Sequence, residues 1–212
     1  MSLEHCIKQL NKLDISLDSA VLAGGQGSRM SGRDKGLVTF KGRPMVQKTI
    51  ELLAPLAEGH QVLINCNRNI DAYRRLSPRI CQDISTGYQG PLAGIETVLN
   101  TSKADVVFVM PCDTPFADIT AIERIANALV NHASLGRHLV PVALKDSKRK
   151  HPLHCCIPRT YLPSVKEALS SEQYKLMRWL EENNVIWVDV DSPKTLENIN
   201  TIEQLSRVNA SS

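Results

Sequence analysis

The sequence predicts an α/β fold, built as three α/β/α layers around a mostly parallel sheet with one antiparallel strand. Three observations carry that reading. Short apolar runs, several rich in β-branched residues, alternate with apolar stripes at helical spacing through most of the 212 residues. A glycine-rich loop follows directly on the first such run. Polar and acidic residues recur near the ends of later runs, where open α/β sheets place their ligand sites.

Ala20 to Ala23 reads as the first buried strand. Before it, Glu4 to Ser16 has apolar residues at 7, 10, 13 and 15, a weak helical pattern expected to form a peripheral extension over residues 1–16. Met1-Ser2-Leu3 are set aside from the fold argument. Gly24, Gly25 and Gly27 follow the strand, and glycine lets backbone N–H groups approach a ligand with no Cβ in the way. Arg29 and Lys35 bring positive charge to the same place, so the segment reads as a polyphosphate pocket. It is not a dinucleotide fingerprint, because Met30 stands where the third glycine belongs. Nor is it a Walker A loop, since Arg33-Asp34 follows Gly32 where Lys and Ser/Thr are needed. A bare turn has no use for the two cations.

From Leu22 to Lys35 the chain fits Leu-Ala-Gly-Gly-x-x-x-Arg-Met-x-x-x-Asp-Lys. That pattern resembles the signature of the nucleotidyltransferases that make nucleotide sugars and dinucleotide cofactors. With Gly24-Gly25 doubled and Asp34-Lys35-Gly36-Leu37 closing the loop, it is most similar to the molybdenum cofactor guanylyltransferase (MobA) family. The resemblance implies a single Rossmann-like nucleotidyltransferase domain over residues 1–212.

Leu37 to Phe40 reads as a short strand, Gly42-Arg43-Pro44 as a turn, and Met45 to Leu56 as a helix begun at Pro44 and ended near Gly59. Gln61 to Ile64 is the next strand, followed by Asn65-Cys66-Asn67-Arg68. An Asn amide can read a base edge or close an Asx turn, and the residues alone leave both open. The family has Asn-x-Asn-Arg here with its first Asn on the nucleotide, which implies that role for Asn65. Ile70 to Leu76 reads as a short helix and Arg79 to Gln82 as an edge strand ending at Asp83. Gly90-Pro91-Leu92-Ala93-Gly94 then opens a helix, its small residues allowing close approach to a ligand or strand. On residues alone Asp83 is a turn carboxylate. The family's Asp, loop and Gly-Pro-Leu-Ala-Gly run implies that it binds ribose, base or the metal shell.

Ala104 to Met110 is the strongest strand, and it leads into Pro111-Cys112-Asp113-Thr114-Pro115. Asp113 has the hard oxygens Mg²⁺ prefers, and equally suits a helix cap. The family's Pro-Cys-Asp-Thr-Pro matches residue for residue and implies the metal role. Ile119 to Val130 is a helix and Leu139 to Leu144 a strand. Lys145 to Lys150 is a polar turn with four cations, and His151 to Ile157 is the returning strand that supplies the antiparallel member. The family's Arg-x-His-Pro matches Arg149 to Pro152, which makes His151 a candidate contact for the second substrate beside its ordinary structural reading. Cys155 and Cys156 point to opposite strand faces. Tyr161 to Leu169 and Tyr174 to Leu180 are helices, and Asn184 to Val190 is a strand with Trp187 in the core. Asn198-Ile199-Asn200-Thr201 precedes a last helix, which Asn200 or Thr201 caps, with a ligand contact as the secondary reading of the segment.

Charged residues at 22%, apolar residues at 42% and a net charge of +3 describe a soluble globular protein and argue for neither nucleic acid nor membrane partners. The six cysteines lack zinc or Cys-x-x-Cys spacing and read as free thiols in a reducing cytoplasm. No apolar run reaches spanning length and no signal peptide is evident.

The resemblance implies transfer of GMP from GTP to the phosphate of molybdopterin, with Mg²⁺ as cofactor. It implies transient contact with other proteins of molybdenum cofactor biosynthesis and with target apoenzymes. Lys35, Arg29 and Asp113 are the expected catalytic residues. Leu22, Ala23, Gly24, Gly25, Lys35, Asn65, Asp83 and Asp113 are expected to bind GTP, and Asp113 the metal. Cytidylyl transfer, sugar-1-phosphate nucleotidyl transfer and a non-catalytic nucleotide-binding module are the competing readings.

Overall fold

The computed structural model describes residues 1–24, 32–85 and 89–210. In chain order the elements are α1 (Leu3–Lys12), β1 (Leu17–Leu22), β2 (Thr39–Phe40), β3 (Arg43–Pro44), α2 (Met45–Leu53), β4 (Leu63–Asn65), α3 (Ile70–Arg74), β5 (Ile80–Cys81) and α4 (Pro91–Thr101). Then come β6 (Val106–Pro111), α5 (Ile119–Ala133), β7 (Val142–Lys145), β8 (Lys150–Pro158), α6 (Leu162–Ser170), α7 (Leu176–Glu182), β9 (Ile186–Asp189) and α8 (Ile202–Ala210).

Period-two alternation sorts the strand side chains into two cores. Val21, Val106, Phe108 and Cys156 face the layer of α1, α2 and α5, whereas Ala20, Val107, Val109 and Cys155 face α4, α6 and α7. The sheet between them has the order β5-β4-β1-β6-β8-β7-β9. β8 runs antiparallel to β6 and β7, and the other pairings are parallel, so the expected three layers and single antiparallel strand are present. The chain reverses at a turn organised by Asp146, whose Oδ1 accepts the backbone N–H groups of Lys148 (2.6 Å) and Arg149 (2.9 Å).

Several local expectations change. Lys35–Leu37 is a single 3₁₀ turn, and Thr39–Phe40 pairs only with Arg43–Pro44 in a separate two-stranded hairpin. The expected strand over 37–40 therefore lies outside the main sheet. α2 stops at Leu53 because Pro55 has no N–H to continue it, and the chain goes on as short 3₁₀ turns. Trp187 is only partly buried, and Trp179 of α7 is the large core aromatic at 1% exposure. Leu3, set aside in the sequence argument, is buried and begins α1, which Ser2 caps through its hydroxyl and the His5 N–H. Leu3, Cys6 and Leu10 seat this helix in the same core as α5, so residues 1–12 are part of the packed layer.

Candidate active site

Three strand ends meet where the sheet changes direction of growth. Leu22 at the end of β1 is paired with Asn65 of β4 on one side and Pro111 of β6 on the other. Open α/β sheets bind ligands at such switch points, because loops diverge there and leave a crevice. Beyond the pairing, Ala23 N–H donates to the Asn65 carbonyl (2.8 Å) and Cys112 N–H to the Leu22 carbonyl (3.2 Å). Leu22, Ala23, Asn65 and Asp113 are thereby held along one edge.

On the β6 side, Lys35 Nζ donates to Asp113 Oδ2 (3.0 Å) and to Asn200 Oδ1 (2.6 Å). Asn198 Nδ2 donates to Asp113 Oδ1 (2.7 Å), and Ile199 N–H to the Asp113 carbonyl (2.9 Å). Helix capping is not Asp113's task, since Asp118 caps α5 through the N–H groups of Thr120 and Ala121. A carboxylate offers about four acceptor positions, and Lys35 and Asn198 occupy one on each oxygen, so Asp113 keeps capacity for a cation. Among the described residues no group of three His, Cys, Asp or Glu side chains gathers to hold a metal unaided. A cation at Asp113 would draw its remaining ligands from water and substrate oxygens.

Across β1, Asp83 receives Asn65 Nδ2 (2.9 Å) and Asn67 Nδ2 (2.7 Å), while its own N–H donates to Asn67 Oδ1 (2.9 Å). The Asp83 carboxylate thus sets the orientation of both amides, leaving Asn65 Oδ1 outside that exchange. α4 comes very close here: a Cβ on Gly94 would lie 2.7 Å from Asn65 Oδ1, tighter than side chains tolerate. Gly24 passes the same pair, its virtual Cβ 3.2 Å from Asn67 Nδ2. Gly25 and Arg29 lie outside the described residues.

On sequence alone Asp34 and Tyr73 have no site role, and the segment of Asn198 and Asn200 has a ligand contact only as its secondary reading. Asp34 is buried and caps the 3₁₀ turn that carries Lys35, accepting Gly36 N–H (3.2 Å) and the Tyr73 hydroxyl (2.5 Å) on Oδ1. Its Oδ2 accepts Asn69 Nδ2 (3.0 Å) and faces Arg68 Nε at 3.6 Å. The Tyr73 hydroxyl fills the space a Cβ on Gly36 would need. Burial, with the adjacent Cys112 and Asp34, pushes the Tyr73 hydroxyl far above its ordinary range, so it stays a donor. Of the two expected caps of α8, Asn200 and Thr201, it is Thr201 that acts, in a capping box with Gln204: Gln204 N–H donates to Thr201 Oγ1 (3.2 Å), while Gln204 Oε1 accepts Asn200 N–H (2.7 Å). The Thr-x-x-Gln spacing is the sequence signal that frees the Asn200 side chain.

The cysteines nearby offer no nucleophile. All six are free and buried, and burial pushes Cys66 up to about 11 and Cys112 higher still, leaving neutral thiols. A recess of about 710 Å³ lies at the other end of the sheet around Asp14, Asp105, Arg137 and Arg159, away from this constellation. No helix among the described residues is long and apolar enough to cross a membrane.

An open sheet that brings a lysine and a carboxylate together beside its switch point offers a ligand crevice, and the family match makes the protein a nucleotidyltransferase. The MobA-like NTP transferase domain matches residues 19–186, and the chain belongs to that family. A molybdenum cofactor guanylyltransferase from Shewanella amazonensis is 32% identical over 197 residues, covering 92% of this chain and 97% of the relative. One from Haemophilus influenzae is 31% identical over 196 residues, covering 92% and 98%. The crystal structure of molybdopterin-guanine dinucleotide biosynthesis protein A from Archaeoglobus fulgidus superposes with a TM-score of 0.70 at 22% identity, covering 92% of this chain and 98% of that one. At that identity the superposition speaks to the fold.

Proposed function

We propose that the chain transfers GMP from GTP to the phosphate of molybdopterin, giving molybdopterin guanine dinucleotide and pyrophosphate. The observation that carries this reading is the meeting of Lys35 with Asp113 in a chain of the MobA-like family. An acceptor phosphate oxygen forms a bond to the α-phosphorus of GTP, and the bond from that phosphorus to the bridging oxygen breaks. Pyrophosphate leaves with the electron pair. Catalysis of such a transfer is largely positioning and charge neutralisation.

In this reading Lys35 releases Asp113 and neutralises charge on the triphosphate, with Arg29 and the backbone of Gly24 and Gly25 supporting the same phosphates. Asn200 and Asn198 hold Lys35 and Asp113 in register. Asn65, fixed by Asp83, presents its amide oxygen toward the base with Leu22 and Ala23 alongside. Mg²⁺ held by Asp113 and substrate phosphates would supply further charge neutralisation. Residues 1–212 act as one catalytic domain, with α1 as its support. The six buried thiols suit a reducing cytoplasm, where transient contacts with other molybdenum cofactor proteins and apoenzymes would take place.

Pyrophosphate release measured with Mg²⁺, molybdopterin and each of GTP, CTP and UTP tests the proposal. Release with GTP alone is expected. Preference for CTP would assign cytidylyl transfer, and GTP binding without release would make the chain a binding module.

A further inference from the structure

The start of β8 concentrates groups suited to an anion. Arg149, Lys150, His151 and His154 surround, with Pro111 and Asn198, a recess of about 140 Å³. Pockets for whole ligands run roughly 300–1,000 Å³, so this one has room for a single small group. It adjoins the site above through Asn198, whose Nδ2 donates to Asp113 and whose Oδ1 receives Arg149 Nη2 (3.4 Å).

Two independent observations indicate a built site. First, His151 is 4% exposed, and its Nε2 lies 2.7 Å from Asp146 Oδ2. The other oxygen of Asp146 holds the Lys148 and Arg149 N–H groups, so one buried carboxylate fixes the ring and the backbone that carries Arg149. Second, His154 is 2% exposed, with Nε2 3.1 Å from Thr114 Oγ1, while its Nδ1 is buried with no hydrogen-bond partner among the described residues. Burial foremost, then His151 and Arg149, push this imidazole down to about 3, so it is neutral. In the tautomer that takes the Thr114 hydroxyl as a donor to Nε2, the ring proton sits on Nδ1 as a donor lacking an acceptor. Buried polar groups are ordinarily paired, and a phosphate oxygen would complete this one.

Lys150 is engaged by Glu181 (2.7 Å) and lies over the Trp187 ring, whereas Arg149 has no carboxylate partner among the described residues. From these contacts we infer that the recess is a subsite for a phosphomonoester dianion, the phosphate of the acceptor, held by Arg149 and the His154 Nδ1–H beside Asp113. The choice of the acceptor as its source rests on the proposed nucleotidyl transfer; the choice of a phosphate group does not.

The test uses the full chain in two arms. Imidazole NMR resonances are followed while inorganic phosphate, then a simple phosphomonoester, is titrated in without GTP or metal. A saturable shift of the His154 ring, weakened about tenfold in Arg149→Ala as expected for loss of a charge-assisted contact, supports the subsite. An unmoved His154 ring overturns it. In the kinetic arm, Arg149→Ala raises the molybdopterin KM about tenfold and leaves the GTP KM unchanged, with partial rescue by Arg149→Lys. A rise in the GTP KM instead assigns the recess to the triphosphate and overturns the inference. Should no nucleotide support pyrophosphate release, the proposed function fails while the titration still reports on the recess.

Discussion

Lys35 and Asp113 stand 78 residues apart in the chain, yet Lys35 Nζ lies 3.0 Å from Asp113 Oδ2. Their side chains are 23% and 13% exposed, so the pair is neither a screened surface bridge nor fully desolvated. Asn200 and Asn198 hold the two ends, which fixes a cation and an anion at the mouth of the crevice without sealing them off. Phosphate oxygens can replace Asp113 at Lys35, and a divalent cation can replace Lys35 at Asp113.

In the proposed transfer, loss of that ammonium removes a partner for charge that grows on the leaving pyrophosphate. Lys35→Ala is expected to lower turnover about a hundredfold or more, measured as pyrophosphate release at saturating substrates. Near-parental turnover would exclude Lys35 from the chemistry.

Asp113→Ala is expected to abolish activity together with its Mg²⁺ dependence, because among the described residues no neighbouring group of carboxylates stands ready to take over. Turnover across a Mg²⁺ titration reads this directly. A variant with ordinary Mg²⁺-dependent turnover would refute the metal role.

The Tyr73 hydroxyl occupies the space beside Gly36. Gly36→Ala is expected to destabilise the fold by about 1–3 kcal/mol through overpacking. Tyr73→Phe costs a similar amount, about 1–3 kcal/mol, by stripping a donor from buried Asp34. Denaturant melts of the double variant should show less than the summed loss, since the second change removes the obstacle met by the first. Strict additivity would place the two residues out of contact.

Two buried groups contribute to the acid response. The His154 ring is held near 3 against an ordinary 6.5, by burial first and then by His151 and Arg149. The unfolded chain binds this proton first, so the ring's contribution is complete above 6.5 and is lost as pH falls towards 3. Burial opposes ionisation of Asp146, but hydrogen bonds from His151 and the Lys148 and Arg149 N–H groups outweigh it and hold the carboxyl near 2 rather than 3.8. That contribution is complete above 3.8 and fades towards 2. Urea midpoints measured against pH are expected to fall in both windows. His154→Gln flattens the upper fall and Asp146→Asn the lower; a His154→Gln curve parallel to the parent across pH 6.5 to 3 would sink the assignment.

Much of the site could be read without coordinates. Asp113 follows a β-branched strand, and Lys35 closes a glycine-rich loop, so local residue types already indicated where a carboxylate and a cation would stand. Asn198, Asn200 and Tyr73 escaped that reading because each acts through a partner far away in sequence. An Asn before a helix looks the same whether its amide caps that helix or crosses to Lys35, 165 positions back.

By itself, the sequence determined the alternation of strands and helices, the antiparallel return at Lys145 to Lys150 and the loop chemistry, since these follow from residue order and side-chain period. Only the tertiary structure decided that Thr39–Phe40 leaves the main sheet, that α1 joins the core beside α5, and that Asp34 and Asp146 are buried organisers of their loops. Those outcomes depend on which surfaces exclude water together and which buried donors must find acceptors, and both are settled by contacts between distant segments.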